Sequence, residues 1–226
     1  MLMINCDLGE CLTPNPDADV MPLINMANIA CGGHAGDNNS MKKTIKLAKK
    51  FGVKIGAHPS YADIANFGRV SQTLSAFALF DLIYQQINTF QTLCTKHGAL
   101  LKYTKPHGAL YHDMTHNPLV LEVMCDVIHK IDQNLSLVVQ AGHEDYFKNF
   151  GNNENDLFLH EVYADRGYQG IHMIPRGDKG AVLTDPKAII DQYYQFLEEK
   201  SFKIDTICFH SDNKASVEAL KQLKNA

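Results

Sequence analysis

The chain has 226 residues, with 21 Lys and Arg against 25 Asp and Glu and a formal net charge of −4. That balance, without a basic stripe or an aromatic-interleaved basic patch, gives no support to a nucleic-acid role. The apolar content of 45% is ordinary for a soluble protein and no run is long enough to span a bilayer, so no membrane role is expected.

The opening MLMINCD lacks the charged and apolar regions of a signal peptide, so the cytosol is the expected location. The length suits one β/α domain over residues 1–226. The six cysteines form no C-x-x-C pair and read as buried, reduced, small hydrophobes.

In chain order, the first predicted strand is 2–6, and its run ends on Asp7 and Glu10. The second, 27–31, leads into CGGHAGD, which carries His34 and Asp37, and a helix is predicted over 38–51. On that helix Ile45, Leu47, Ala48 and Phe51 share a face. The third strand, 53–57, ends on His58, held extended by Pro59. A long connection, 58–73, brings Gly68 and Arg69 before a helix over 74–97. Leu79, Leu82, Ile83, Gln86, Ile87 and Phe90 line one side of that helix.

The fourth strand, 100–104, ends in KPHG with Lys105 and His107, and a helix is predicted over 117–132. The fifth, 135–141, precedes a short helix at 143–149 and a polar surface loop, NFGNNEND, at 149–156. The sixth, 157–163, carries Glu161 and runs into Asp165 and Arg166. A second long connection, 164–185, holds Arg176. A helix at 186–200, a seventh strand at 205–209 ending on His210 and Asp212, and a helix at 214–224 complete the series. Asp37, Asn117 and Asp185 are placed to cap helices, the last two with proline at the first helical position. Gly52 and Gly98 follow two predicted helices, where left-handed glycines are common.

Strands alternating with helices predict a parallel sheet with right-handed crossovers. About seven strands, and no glycine-rich nucleotide loop after the first, favour an irregular TIM-like (β/α) barrel over an open doubly wound sheet. In such a barrel the strand ends converge on one mouth, where the chemistry is kept. Loops as long as 58–73 and 164–185 are usually functional or mobile.

The polar bursts supply the candidate chemistry. Asp7 suits a general base or a metal ligand, and Glu10 a ligand or the start of a turn. His58 and His107 are candidate acids, bases or ligands, and Lys105 can neutralise a developing negative charge. Arg69, Arg166 and Arg176 can clamp a carboxylate or phosphate, with a structural Asp–Arg salt bridge as the plain alternative. His210 and Asp212 suit a metal site or a base with its orienting partner, and Asp212 can equally cap the last helix. Asp37 has a strong claim to be only a cap. His97, His112, His116, His129 and His160 read as surface or filler. No P-loop, G-x-S-x-G elbow or H-E-x-x-H motif occurs.

Taken together and in order, INCDLGE (4–10), NIACGGHAGD (28–37), GVKIGAHPSYAD with NFGR (52–69), KPHGALY (105–111), EVYADRGY (161–168), PRGDKGAV (175–182) and ICFHSDN (207–213) resemble the LamB/YcsF family. That family is associated with the A subunit of the bacterial ATP-dependent 5-oxoprolinase. The match runs nearly end to end. Departures fall at Gly33, where the family usually has a large apolar residue, and at Val70, where it usually has a second basic one. Another is Ser211, in place of the glycine of H-G-D. The segment around KSFKIDT is also shorter than in many members.

The resemblance implies an irregular barrel related to polysaccharide deacetylases. It implies opening of 5-oxo-L-proline to L-glutamate with ATP as co-substrate, in a complex with subunits B and C. For that reaction Asp7, Lys105, His107 and His58 are expected in catalysis, with Asp7 positioning or deprotonating water, His107 or His58 passing a proton to the ring nitrogen and Lys105 stabilising negative charge. The same reading places Asn5, Glu10, His34, Arg69, Glu161, Arg166, Arg176, His210 and Asp212 around the substrate. A competing reading is a metal-dependent amide hydrolase or sugar deacetylase acting alone. Its candidate divalent-metal ligands are Asp7, His34, His58, His107, His210 and Asp212. A third is a non-enzymatic binding component.

Overall fold

In the computed structural model, which describes residues 2–148, 150 and 157–225, seven parallel strands close into a barrel. They are β1 (Met3–Leu8), β2 (Met26–Ala30), β3 (Lys54–His58), β4 (Leu101–Thr104), β5 (Ser136–Gln140), β6 (Phe158–Tyr163) and β9 (Thr206–His210). β6 pairs directly with β9, and β9 with β1, so the ring has no free edge. Between β6 and β9 the chain makes a small antiparallel hairpin, β7 (Tyr168–Gln169) with β8 (His172–Met173).

The helices are α1 (Asp17–Val20), α2 (Asn38–Phe51), α3 (Ala76–Lys96), α4 (Gly108–His116), α5 (Pro118–Ile131), α6 (Glu144–Phe147), α7 (Pro186–Glu198) and α8 (Lys214–Asn225). Local rules set their ends. Asp37 accepts from the backbone N–H of Asn39 and Ser40 at the start of α2, and Gly52 ends it with φ +68°. Asn117 and Asp185 cap α5 and α7, each ahead of a proline. Asn213, not Asp212, caps α8, its Oδ1 accepting from Ala215 N–H at 3.1 Å. No helix among the described residues is long and apolar enough to cross a membrane.

Period-two alternation divides the strand residues into two sets. Cys6, Leu8, Ala27, Ile29, Ile55, Ala57, Leu137, Val139, Val162, Ile207 and Phe209 belong to the large apolar core shared with the helices. Met26, Tyr103 and Val138, with Met3 and Leu159 against them, form a separate apolar plug. Gly56 makes room for it: a Cβ there would stand 2.2 Å from the Tyr103 ring. Next to the plug the inward positions turn polar, with Asn5 and Asp7 on β1, Asn28 on β2, Glu161 on β6 and Thr206 on β9.

The structure departs from the predicted elements at several points. α4 lies where no helix was predicted; it buries Ala109, Leu110, Tyr111, Met114 and Thr115 and leaves Gly108, His112 and His116 exposed. On α2 the buried face is Met41, Thr44, Ile45 and Ala48, while Phe51 is exposed. The helix predicted at 143–149 is the single turn α6. The surface loop predicted at 149–156 falls, Phe150 apart, outside the described residues. All six cysteines are free, but Cys11 is exposed rather than buried.

Candidate active site

The site grows from the barrel interior. Asn28 Nδ2 donates to Asp7 Oδ1 at 2.7 Å and to Asn5 Oδ1 at 2.7 Å, and Tyr103 O–H donates to Asn28 Oδ1 at 2.7 Å. Asn5 Nδ2 in turn donates to Glu161 at 2.8 Å and Thr206 at 2.8 Å. Lys105 leaves the end of β4 and turns into this network. Its ammonium lies 3.1 Å from Asp7 Oδ1, 3.0 Å from Glu161 Oε1 and 3.0 Å from the Cys208 thiol. It also stands 4.9 Å over the Tyr163 ring centroid.

Burial alone would raise Asp7, but the neighbouring His58 and Lys105 override it and hold the carboxyl well below the usual range. Burial would lower Lys105, yet Asp7, Cys208 and Glu161 push it up. Both therefore stay charged at neutral pH. Asn5 and Glu161, predicted to contact substrate, lie beneath Asp7 and Lys105 and do not line the pocket.

Three histidines and Glu10 stand beside Asp7. His34 Nε2 is 3.1 Å from Glu10 Oε1, and His107 Nδ1 is 3.6 Å from the same oxygen. His107 Nδ1 is 3.0 Å from His58 Nε2, and His34 and His107 stack with centroids 3.7 Å apart. Asp7 Oδ2 lies 3.4 Å from His58 Nε2. Burial, reinforced by His58, takes His34 down to about 2. Burial and the two other rings push His107 well down. Glu10 is pushed well up by burial and by Asp7. Phe67, with φ +55°, brings its carbonyl to His107 and its ring against both His34 and His107.

His210 has a different partner from the one its sequence spacing suggests. Its Nδ1 donates to Asp165 Oδ1 at 2.7 Å, so Asp165, and not Asp212, orients the ring. Burial would raise Asp165, but His210 beside it and the hydrogen bonds it accepts lower it. Tyr163 stacks on the His210 ring at 5.1 Å. The plain alternative of a structural Asp–Arg salt bridge holds for Arg69, which pairs with Asp212, but Arg166 makes none with Asp165. Arg166 donates instead to the carbonyls of Ala181 at 2.8 Å and Ile174 at 2.7 Å. Ser211 avoids the positive φ that a glycine would tolerate, and its hydroxyl donates to Asp7 O at 2.7 Å.

These groups surround a pocket of about 340 Å³. Asp7, Glu10, His58, Lys105, His107 and His210 line it, while His34 stands behind Glu10 and His107. Both long connections form its walls. The first contributes Phe67, Arg69 and Ser71, and the second Met173, Ile174, Pro175 and Arg176. Arg69 pairs with Asp212 at 2.9 Å, and Arg176 approaches the same carboxylate at 3.9 Å.

Sequence reasoning passed over Asn28, Phe67, Tyr111, Tyr163 and Asp165's role as partner of His210. Asn28 and Tyr163 carried a usable signal, since each shares a strand face with chemistry-bearing neighbours. Phe67 carried none, because its left-handed backbone is set by tertiary contacts. His160, read as surface or filler, is buried in β6, while His112 and His116 are exposed.

A Pseudomonas putida protein described as a 5-oxoprolinase A subunit, the one numbered 2, is 38% identical over 240 residues, covering all of this chain and 93% of that protein. A 5-oxoprolinase A subunit from Vibrio cholerae is 36% identical, covering all of this chain and 97% of its own length. The crystal structure of a lactam utilization protein from Thermus thermophilus superposes with TM-score 0.85 at 28% identity, covering 99% and 97% of the two chains. A family 4 carbohydrate esterase from Streptomyces lividans shares the fold at TM-score 0.51 and 11% identity, over 99% of this chain and 85% of that one. The LamB/YcsF family model matches residues 2–226, and the chain belongs to that family.

Proposed function

We propose that this chain is the ring-opening component of an ATP-dependent 5-oxoprolinase, working with subunits B and C. The observation that carries this reading is the ionised Asp7, set in a small pocket rimmed by arginines. Such a pocket suits a compact anionic substrate. The full-length relatives described as 5-oxoprolinase A subunits support the assignment.

The lactam of 5-oxo-L-proline is an unstrained amide with a poor leaving group. Transfer of a phosphoryl group from ATP to its carbonyl oxygen makes the carbon electrophilic. The sequence has no P-loop, so the partners supply that activation. Asp7 then accepts a proton from the attacking water, which adds to the ring carbon. His210, its Nδ1–H held by Asp165, returns a proton through Nε2 to the ring nitrogen as the C–N bond breaks, leaving γ-glutamyl phosphate, which a second water hydrolyses to L-glutamate and inorganic phosphate. Lys105 has its donors engaged within the network, so it acts by keeping Asp7 ionised rather than by touching substrate. Arg69 and Arg176 hold the substrate carboxylate at the rim.

The test is glutamate release from 5-oxo-L-proline by this chain alone, with its B and C partners, and with or without ATP. Release is expected only from the full mixture with ATP. Asp7→Asn should lower it by about 10²-fold or more. Absence of release, with folded and bound partners, would overturn the assignment.

A further inference from the structure

The ring nitrogens beside Glu10 have their protons accounted for elsewhere. His58 Nδ1 donates to the Lys105 carbonyl at 2.7 Å, and His107 Nε2 donates to the Phe67 carbonyl at 3.0 Å. A carbonyl oxygen only accepts, so both protons are fixed on those outer nitrogens. Ser60 Oγ spends its single proton on Tyr61 O at 2.8 Å, so it must accept from His34 Nδ1 at 3.1 Å. With the outer nitrogens engaged in this way, the remaining nitrogens, His34 Nε2, His58 Nε2 and His107 Nδ1, face inward.

Those three nitrogens and Glu10 Oε1 face one another within 4.8 Å, all four residues buried. Through these inward atoms His58 and His107 approach to 3.0 Å, and His34 and Glu10 to 3.1 Å. The spacing suits a cation once the stacked His34 and His107 rings, 3.7 Å apart and nearly parallel, rotate so that both ring planes meet the ion. Donors about 2.0–2.1 Å from one tetrahedral zinc stand roughly 3.3–3.4 Å apart. Here the shorter separations run from 3.0 to 3.6 Å. The outer N–H of every ring is already bonded to an oxygen, the second shell that metal-ligating histidines usually have.

We propose that Glu10, His34, His58 and His107 bind one divalent transition metal of the zinc class on the inner wall of the pocket. Three imidazoles and a carboxylate form a borderline-soft donor set that disfavours magnesium and calcium. Asp7 Oδ2, 3.4 Å from His58 Nε2, lies at its edge. An ion of this class polarises bound oxygen. The set differs from the divalent-metal ligands read from sequence, because it takes in Glu10 and leaves out Asp7, His210 and Asp212. The inference stands on donor geometry and does not depend on the reaction proposed above.

The test uses the full chain, stripped with a chelator and titrated with cobalt(II), without partners or ATP. A visible absorption band should saturate at about one equivalent per chain and be displaced by zinc. Glu10→Gln, nearly isosteric, and His34→Ala should each weaken binding by about tenfold or more. Thermal melts of each variant establish that it folds, and Glu10→Gln carries the comparison if His34→Ala does not. The double variant His112→Ala/His116→Ala removes an exposed stacked pair on α4 and should leave the band unchanged. Absence of a band, a band indifferent to Glu10→Gln, or a band lost only in the surface double variant would overturn the proposal.

Discussion

Lys105 shows most clearly how one residue ties packing to chemistry. It is 1% exposed and sits between two carboxylates. Lys105→Met would leave Asp7 and Glu161 buried without their cation, and a loss of about 3–5 kcal/mol in urea unfolding is expected. Adding Glu161→Gln to that variant should recover part of the loss, since one uncompensated charge is removed. Asp165 makes a second test. Its carboxyl is held below the usual range in the folded state, so its contribution is full above the unfolded value and fades as pH falls through the folded one. Urea midpoints measured from pH 7 down to pH 3 should fall more steeply for the native protein than for Asp165→Asn. Parallel curves would show that Asp165 does not supply the acid sensitivity.

At the scale of elements, the seven strands were legible because each is an apolar run ended by polar residues, and burial on both faces preserves that signal. The amphipathic helices α2 and α3 were legible from spacing. α4 was not: it has only nine residues, too few for a clear stripe, and it opens on Gly108 with φ +55°. The β7–β8 hairpin has two residues per strand, too few to show alternation. Site residues were found singly but not always paired, as with His210 and Asp165, which are 45 residues apart and meet only when β6 joins β9. Gly56 is the element-level test. Gly56→Ala would drive a methyl group into the Tyr103 ring, and a cost of about 1–3 kcal/mol is expected by thermal denaturation. Tyr103→Leu in the same chain should restore part of it. A neutral Gly56→Ala would mean that the plug can shift to accept the methyl.

Across the whole molecule, the barrel divides its labour along its axis. Apolar side chains fill one end, a charged network occupies the middle, and two long connections raise walls around the mouth. This arrangement explains why the candidate residues fall at strand ends in the sequence. The rim arginines belong to those connections, so Arg176→Ala should raise the KM for 5-oxo-L-proline about tenfold while leaving kcat within a few-fold. An equal loss in kcat would instead put Arg176 in the transition state. The apolar plug of Met3, Met26, Tyr103, Val138 and Leu159 has a further consequence. It makes the barrel a blind alley, so whatever enters the pocket must leave by the same gate. Under the proposed reaction, arrival and departure cannot overlap. Glutamate should therefore compete with 5-oxo-L-proline for the free site, and each turnover must wait for the passage to clear.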